Sequence, residues 1–257
     1  MHDLSVAVLS SGSCGNSILV SEGCTQVLID AGISCREIER RLSLFGIEPT
    51  QIDAVMLTHE HTDHVRGLKR FCEEYELPVH GTVGTLSLSP TEGLEVVSFG
   101  AGDKFHIGGL TVKSFHVNHF AADPVAFLIS SGRKRLGVAS DLGSVTHSII
   151  RELKGADTLL LEANYDDELL TNGSYPGFLK EAIRSDHGHL SNADAADLAA
   201  HAASANTDRV VLIHLSKENN TPEKAHEAVR QKVAAAGMRL HVNIAEHGRA
   251  LGPFNLR

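Results

Sequence analysis

Short apolar runs separated by turns rich in glycine, serine and asparagine open the chain. The segments LSVAVLSS, SILVSEG and TQVLIDAG predict successive strands, the first two joined by the turn SGSCGN. A helix is predicted over Cys35–Phe45. The near-continuous apolar run IDAVMLT then predicts a strand buried on both faces, which leads directly into the polar stretch HEHTDH.

The rest of the chain alternates strand-like and helix-like patterns. Further strands are predicted at PVHGTVGTL, LEVVSF, KFHIGGLTVKSFHV, PVAFLISS, RLGVASD, TLLLEAN, RVVLIHL and RLHVNIAEHG. Helices are predicted near Val65–Tyr75, Ser144–Leu153, Ser174–Ser185, Asn192–Ser204 and Pro222–Ala236. Helices close each half of a strand-rich chain, which favours two packed sheets with helices on their outer faces. No linker interrupts the pattern, so we expect residues 1–257 to form a single domain.

Composition narrows the class of protein. Apolar residues make up 42% of the 257 residues, and no apolar run approaches the length needed to cross a bilayer. The N-terminus MHDLSVAVLSSG does not resemble a signal peptide, so we expect a cytoplasmic protein without a membrane partner. The four cysteines form no CxxC pair, which favours reduced structural thiols.

The net charge argues against a broad nucleic-acid-binding surface, whereas the histidine content favours metal binding. The formal net charge of −9 argues against a broad basic face for nucleic acid, so any polyanion would bind at a focused site. Sixteen histidines is a high number for a chain of this length, and histidine is the commonest metal-binding side chain. Bound divalent cations would reverse the local sign of the charge.

The motif THEHTDH carries the strongest chemical signal. An extended chain just beyond a strand would place His59 and His61 on one side, whereas Asp63 and His64 would diverge where a helix begins. Nitrogen and carboxylate donors without cysteine suit Zn²⁺, Mn²⁺ or Fe. One turn cannot complete the coordination of two ions, so further ligands must come from distant strand ends.

Three distant residues are candidates for those ligands. His119 lies just past a strand, Asp141 ends GVASD and His214 ends VVLIH. His116 competes with His119, although its place within a predicted strand makes it the weaker candidate. Each of the three could instead be a hydrogen-bonded structural group.

The whole pattern resembles the metallo-β-lactamase superfamily. The resemblance implies an α/β fold, the αβ/βα sandwich of two mixed sheets with helices outside. It also implies two divalent metal ions, Zn²⁺ or Mn²⁺. Asp30 would lie beneath the segment His59–His64, the ligand loop, and support it. The implied ligands are His59, His61 and His119 for one metal, Asp63, His64 and His214 for the other, and Asp141 bridging them.

Three other stretches resemble the YycJ/WalJ-like branch of that superfamily, whose members are described as nucleases. They are SGSCGNS, DHGHLSN and HLSKENNTPEKA. DHGHLSN is also similar to a motif of tRNA 3′-processing enzymes, which implies that His189 is a catalytic histidine. Ser191 followed by Asp194 predicts a helix cap, so His189 would lie beside a helix N-terminus that favours phosphate. Ser191 and Asn192 themselves are expected to be caps.

Other conspicuous residues have simpler interpretations. SGSCGNS is read as a turn in which Asn16 satisfies backbone groups, with a phosphate contact as the alternative. The RKR sequence at 133–135 is read as a solvated hairpin tip, and Lys217 is a weak candidate for facing substrate. The remaining histidines are expected on the surface or in packing: His80, His106, His147, His187, His201, His226, His241 and His247.

The expected reaction is hydrolysis of a nucleic-acid phosphodiester by a metal-activated hydroxide, with Asp63 orienting the nucleophile and His189 assisting the leaving group. The resemblance favours DNA over RNA and a 5′–3′ exonuclease. Two alternatives remain open: a small-molecule hydrolase (a thioesterase, lactonase or cyclic phosphodiesterase) and a metal-binding protein without catalysis. The first would not need His189. The sequence leaves the oligomeric state open.

Overall fold

Strands and helices alternate along the computed structural model, which describes residues 4–256. The strands are β1 (Ser5–Ser10), β2 (Ser17–Glu22), β3 (Thr25–Ile29), β4 (Ala54–Met56), β5 (Val79–Thr82), β6 (Val96–Phe99), β7 (Lys104–Ile107), β8 (Leu110–His116), β9 (Val125–Ser131), β10 (Lys134–Ala139), β11 (Thr158–Glu162), β12 (Arg209–Ile213), β13 (His241–Ile244) and β14 (Leu251–Asn255). The helices are α1 (Cys35–Ser43), α2 (Thr62–Val65), α3 (Leu68–Tyr75), α4 (Val83–Leu88), α5 (His147–Leu153), α6 (Asp167–Asn172), α7 (Gly177–Arg184), α8 (Asn192–Ala202) and α9 (Pro222–Ala235).

The strands form two seven-stranded sheets, each mixed in direction. The first has the order β14-β1-β2-β3-β4-β5-β6 and the second β13-β12-β11-β10-β9-β8-β7. Pairing from β3 to β6 is parallel in the first sheet, and pairing from β10 to β13 is parallel in the second. Parallel strands present their carboxyl ends at one edge, so loops that follow them can supply a common site.

Burial separates the molecule into layers. One apolar cluster lies between the sheets and takes residues from both, including Val27 and Met56 from the first and Val138 and Val211 from the second. A second cluster packs α5, α8 and α9 on the second sheet, and a third packs α1 and α3 on the first. The predicted sandwich of two mixed sheets with outer helices is confirmed.

Several predicted elements were wrong in part. PVHGTVGTL is a strand only to Thr82, whose side chain then caps α4 by accepting from the backbone N–H of Thr85. The predicted helix Val65–Tyr75 begins only at Leu68, as α3, because Val65 is the last residue of the short helix α2. Ser174–Ser185 shortens to α7.

Two elements were not predicted. Helix α6 precedes α7, and its N-cap Asp166 accepts from the backbone N–H of Leu169. Strand β14 follows the predicted last strand and pairs antiparallel with β1 at the edge of the first sheet. It contains Pro253, which has no N–H to donate and is therefore tolerated mainly in an edge strand.

Candidate metal centre

The ligand loop follows the buried strand β4, as its sequence predicted. His61 has extended backbone angles (φ −60°, ψ 147°) and immediately precedes α2, so the turn into the helix separates it from Asp63 and His64. The rings of His59 and His61 lie 4.5 Å apart, and those of His59 and His64 lie 4.1 Å apart. The loop therefore concentrates four polar side chains at one place.

The rings of His59, His61 and His119 converge with ligand atoms close together. His61 directs Nε2 to the carbonyl of Phe120 (2.9 Å), and His119 directs Nδ1 to the carbonyl of Gly188 (2.9 Å). These nitrogens must carry the hydrogens, so in the neutral rings the facing Nδ1 of His61 and Nε2 of His119, 3.3 Å apart, are both acceptors. Two facing acceptors suit a shared cation.

His59 supplies the observation that tests the fit of a metal. Its ring is buried, its Nδ1 lies 3.0 Å from the hydroxyl of Thr58, and its Nε2 has no hydrogen-bond partner among the described residues. A buried polar nitrogen without a partner costs free energy unless an ion or water satisfies it. Three imidazole nitrogens in this arrangement fit a divalent cation.

Asp63, His64 and His214 form a second group of ligand atoms. Asp63 Oδ2 lies 3.5 Å from His64 Nε2 and 3.4 Å from His214 Nε2. The other nitrogen of His64 lies 2.7 Å from Asp30 Oδ2. A carboxylate behind a histidine fixes its tautomer and makes the opposite nitrogen a better ligand.

Asp141 lies between the two groups. Its carboxylate oxygens are 3.2 Å from His64 Nε2 and 3.8 Å from His119 Nε2. The side chain is almost fully buried, and a buried carboxylate requires compensating charge or hydrogen bonds. The structure thus brings together His59, His61, Asp63, His64, His119, Asp141 and His214 at the edges of both sheets.

The electrostatics around His64 and His214 favour positive charge. Burial opposes protonation of His64, but the Asp141 and Asp30 carboxylates outweigh it and raise the pKa of His64 to about 10. Burial likewise opposes a charged His214, yet Asp141, Asp63 and Glu162 raise the pKa of His214 well above its ordinary value. The negative charge that binds protons here would also attract a divalent cation.

Asp30 supports the ligand loop from beneath. It accepts hydrogen bonds from the backbone N–H of Thr58 (2.9 Å) and from the Thr58 hydroxyl (2.8 Å), besides its contact with His64. Its position directly after β3 allows it to reach the loop after the neighbouring parallel strand β4. The geometry matches the supporting role that the resemblance implied.

Three site residues have a left-handed backbone conformation, which is unfavourable for residues other than glycine. Asp30, Asp141 and His214 have φ of 62°, 55° and 56°, and each closely follows a strand. Such conformations cost of order 1–3 kcal/mol each for residues other than glycine and persist where surrounding structure enforces them. Here they turn polar side chains from strand ends into the site.

Glu162 is a site residue that the sequence analysis missed. It is fully buried at the end of β11, and its Oε1 lies 2.7 Å from His189 Nδ1 and 3.0 Å from His214 Nδ1. Its Oε2 accepts from the backbone N–H of Leu142 (2.6 Å). The available signal was a charged residue that closes the otherwise apolar strand TLLLE.

His189 lines the same cleft as the two ligand groups. Burial lowers its pKa, but the Glu162 and Asp141 carboxylates outweigh that effect and raise the pKa overall. Because Nδ1 contacts Glu162, Nε2 is the nitrogen available to another group. Ser191 is the N-cap of α8, accepting from the backbone N–H of Asp194 (3.1 Å), so its predicted capping role is confirmed.

Other predicted residues have clear positions. His116 is exposed on β8, and His119 rather than His116 joins the cluster. The Asn16 side chain accepts from the backbone N–H of Gly12 (2.8 Å), as expected for a turn, and also lies 3.1 Å from Asp63 Oδ2. Lys217 donates to Cys14 Sγ (2.9 Å).

A cleft of about 400 Å³ opens over these groups. Its polar lining includes Asp63, Asp141 and His189. Its apolar lining includes Phe120 and side chains on α7. The arrangement can hold cations beside a bound ester and place an imidazole against it.

Comparison with known proteins identifies the family. The family model described as "Beta-lactamase superfamily domain" matches residues 25–215. The chain is 33% identical over 241 residues to Exodeoxyribonuclease YycJ of Bacillus anthracis, covering 91% of this chain and 90% of that protein. It is 32% identical over 244 residues to Exodeoxyribonuclease WalJ of Streptococcus pneumoniae, covering 92% of this chain and 91% of that protein.

A solved structure agrees with the fold. The metallo-beta-lactamase fold protein YhfI from Bacillus subtilis superposes with a TM-score of 0.75 at 19% identity, covering 97% of this chain and 99% of that one. Among residues 4–256, no helix has the length and apolar character that a membrane span requires. The resemblance to the YycJ/WalJ-like branch is confirmed, and the chain belongs to the beta-lactamase superfamily of metal-dependent hydrolases.

Proposed function

We propose that this protein is a nuclease that hydrolyses phosphodiester bonds with two divalent metal ions, Zn²⁺ or Mn²⁺, and that it acts on DNA as an exonuclease, in the 5′–3′ direction by family resemblance. One observation carries the proposal: His189, held by the buried Glu162, lies in the cleft beside both groups of metal-ligand atoms. The names of the two relatives support DNA as the substrate.

The proposed ligands divide between the two ions. His59, His61 and His119 would hold one ion, and Asp63, His64 and His214 the other, with Asp141 shared. The donors are nitrogen and carboxylate oxygen without thiolate, a set that Zn²⁺ and Mn²⁺ both accept. Metal ions bound here would supply an activated water at neutral pH and polarise the phosphoryl group.

Side chains of the protein would then orient the attacking water and protonate the leaving oxygen. Asp63 Oδ2 is positioned by Asn16 Nδ2 (3.1 Å), which leaves the carboxylate directed to the cleft, where it can orient the attacking water. His189 can deliver a proton from Nε2 to the leaving oxygen, or stabilise charge on the phosphoryl oxygens, because Glu162 holds the ring through Nδ1.

A small-molecule hydrolase is the second candidate. The apolar wall of the cleft, with Leu179 and Ile183, favours it because an acyl group could also bind there. The leaving group in thioester cleavage is a thiolate, which departs without being protonated. That reaction would therefore not depend on His189.

The test measures cleavage of single- and double-stranded DNA and RNA and of a small thioester by the Zn²⁺- or Mn²⁺-loaded protein. We expect polymer cleavage, a loss of about 100-fold or more in His189→Ala, typical of a general acid, and complete loss in His61→Ala. Hydrolysis of the thioester without polymer cleavage, unaffected by His189→Ala, would establish the second candidate instead.

A further inference from the structure

Phe120 is an exposed aromatic residue at an active-site cleft. Its side chain is 57% exposed, although it belongs to the lining of the cleft that holds His61, Asp141 and His189. Exposed apolar surface beside a polar site is a feature of ligand-binding surfaces. Because it lies beside the charged groups of the site, Phe120 can contact an apolar or aromatic group of the substrate.

The backbone of Phe120 is fixed on both sides. Its carbonyl accepts from His61 Nε2 (2.9 Å), and its N–H donates to the carbonyl of His187 (3.0 Å). The Phe120 and His187 rings lie 5.6 Å apart at 35°, so a second flat ring extends the surface. A backbone held in this way need not be ordered when a partner stacks on the ring, so that part of the entropy cost of binding is avoided.

Helix α7 provides further apolar lining of the same cleft. None of its residues is fully buried, yet Leu179, Ala182 and Ile183 line the cleft together with Tyr175, which precedes the helix. Lys180 and Arg184 tie the helix to the segment before it through Thr171 (2.8 Å to its carbonyl and 2.6 Å to its hydroxyl). The apolar side of α7 therefore remains directed to the cleft rather than to a core.

We propose that Phe120 stacks against the nucleobase of a nucleotide next to the scissile phosphate, with the apolar lining from α7 completing this base subsite. This inference rests on the proposed nuclease function and adds a substrate requirement to it. A cleft of about 400 Å³ is of a size that holds one small ligand, such as a single unpaired nucleotide. The preferred substrate is thus an unpaired strand end.

Stacking on an aromatic side chain tolerates every base, because each base presents a π-face. It also requires no basic surface, which accords with the net charge of −9. A subsite of this kind recognises the presence of a base rather than its identity. Removal of the base should therefore cost as much as removal of the ring.

The experiment measures kcat/KM of the metal-loaded protein on oligonucleotides that carry one abasic residue, placed in turn at each position around the scissile bond. We expect one position at which the abasic residue lowers kcat/KM of the wild type by about 5- to 150-fold, the range of base–aromatic stacking. Phe120→Ala should lower kcat/KM on the normal strand by a similar factor and remove the discrimination, whereas Phe120→Tyr should retain it.

The matched control is Phe178→Ala. Phe178 lies on α7 and is 74% exposed, but it is not part of the cleft lining, so its removal should change neither rate nor discrimination. Wild-type-like discrimination in Phe120→Ala, or equal wild-type rates on normal and abasic strands, would overturn the subsite alone. A wild-type protein that cleaves no polymer would overturn the proposed nuclease and the subsite with it.

Discussion

Glu162 connects two histidines of the site through a single carboxylate. Oε1 is within 3.0 Å of both His189 and His214, and Oε2 accepts from a backbone N–H. The carboxylate therefore determines which nitrogen of each ring carries a hydrogen. Its burial means that neither contact is weakened by competition with solvent.

Replacement of Glu162 by glutamine should lower kcat by about 10- to 100-fold, the usual effect of losing such a supporting carboxylate. The amide retains the volume but loses the charge and one acceptor. Metal content by mass spectrometry, measured with kcat, separates an effect through His214 from one through His189. Glu152→Gln, which removes a partly buried carboxylate that is paired with Lys113 and does not line the cleft, is the control and should keep wild-type kcat. Wild-type kcat in Glu162→Gln would contradict the role of the carboxylate.

At the scale of elements, the site depends on close backbone packing between the loop after β3 and the ligand loop. A Cβ on Gly32 would lie 1.7 Å from the carbonyl oxygen of Asp63, and the Gly32 N–H donates to the carbonyl of Asn16 (2.8 Å). The Asn16 N–H in turn donates to the carbonyl of Asp63 (2.7 Å). Three segments distant in sequence thus meet without room for a methyl group.

Gly32→Ala should displace the ligand loop and destabilise the protein by about 1–3 kcal/mol, the usual cost of overpacking. We expect a lower Tm in calorimetry together with reduced metal binding. Gly177→Ala is a suitable control because its Cβ would meet nothing within 4 Å. If Gly32→Ala keeps the wild-type Tm and metal affinity, the close approach does not constrain the ligand loop.

Ser191→Ala tests the cap of α8 separately from the chemistry. Loss of an N-cap hydroxyl costs about 1 kcal/mol, so Tm should fall by about 2–4 °C. Below Tm, kcat should remain within a few-fold of the wild type, since His189 is positioned by Glu162. A loss of kcat as large as that of His189→Ala would give Ser191 a role in the reaction.

The sequence pattern correctly predicted elements whose secondary structure is determined by their own residues rather than by contacts with distant segments. The strands before Asp30, His59, Asp141 and His214 each contain an apolar run that leads toward a polar residue, and these strand ends predicted where polar groups would meet. The segment at Val83–Leu88 was misassigned because TVGTL suits a strand or a helix equally, and the Thr82 cap decided it. The contacts of Asn16 with Asp63 and of Glu162 with two histidines join distant segments, so no local pattern reveals them.

At the scale of the whole molecule, the candidate ligands come from both sheets. The loop after β4 supplies His59 to His64, and the second sheet supplies His119, Asp141 and His214. Metal bound at this edge would hold the two sheets together. Binding to the folded state alone stabilises a protein by mass action.

Metal should therefore raise the Tm of the chelated protein. At a free ion concentration near 100 times Kd the gain is about 2.7 kcal/mol, or about 5–10 °C for a chain of this size. His59→Ala should reduce this shift, whereas His201→Ala, which removes an exposed histidine on α8, should retain it. An unchanged Tm on addition of Zn²⁺ and of Mn²⁺ would argue against a metal centre.

The most direct test of the account is release of nucleotides from end-labelled single-stranded DNA by the protein after chelation and reloading. We predict no release after chelation, recovery with Zn²⁺ or Mn²⁺ that reaches its maximum at two ions per chain, and no recovery in His61→Ala. Release that persists under chelation, or DNA that stays intact with two ions bound, would contradict the assignment of a two-metal nuclease.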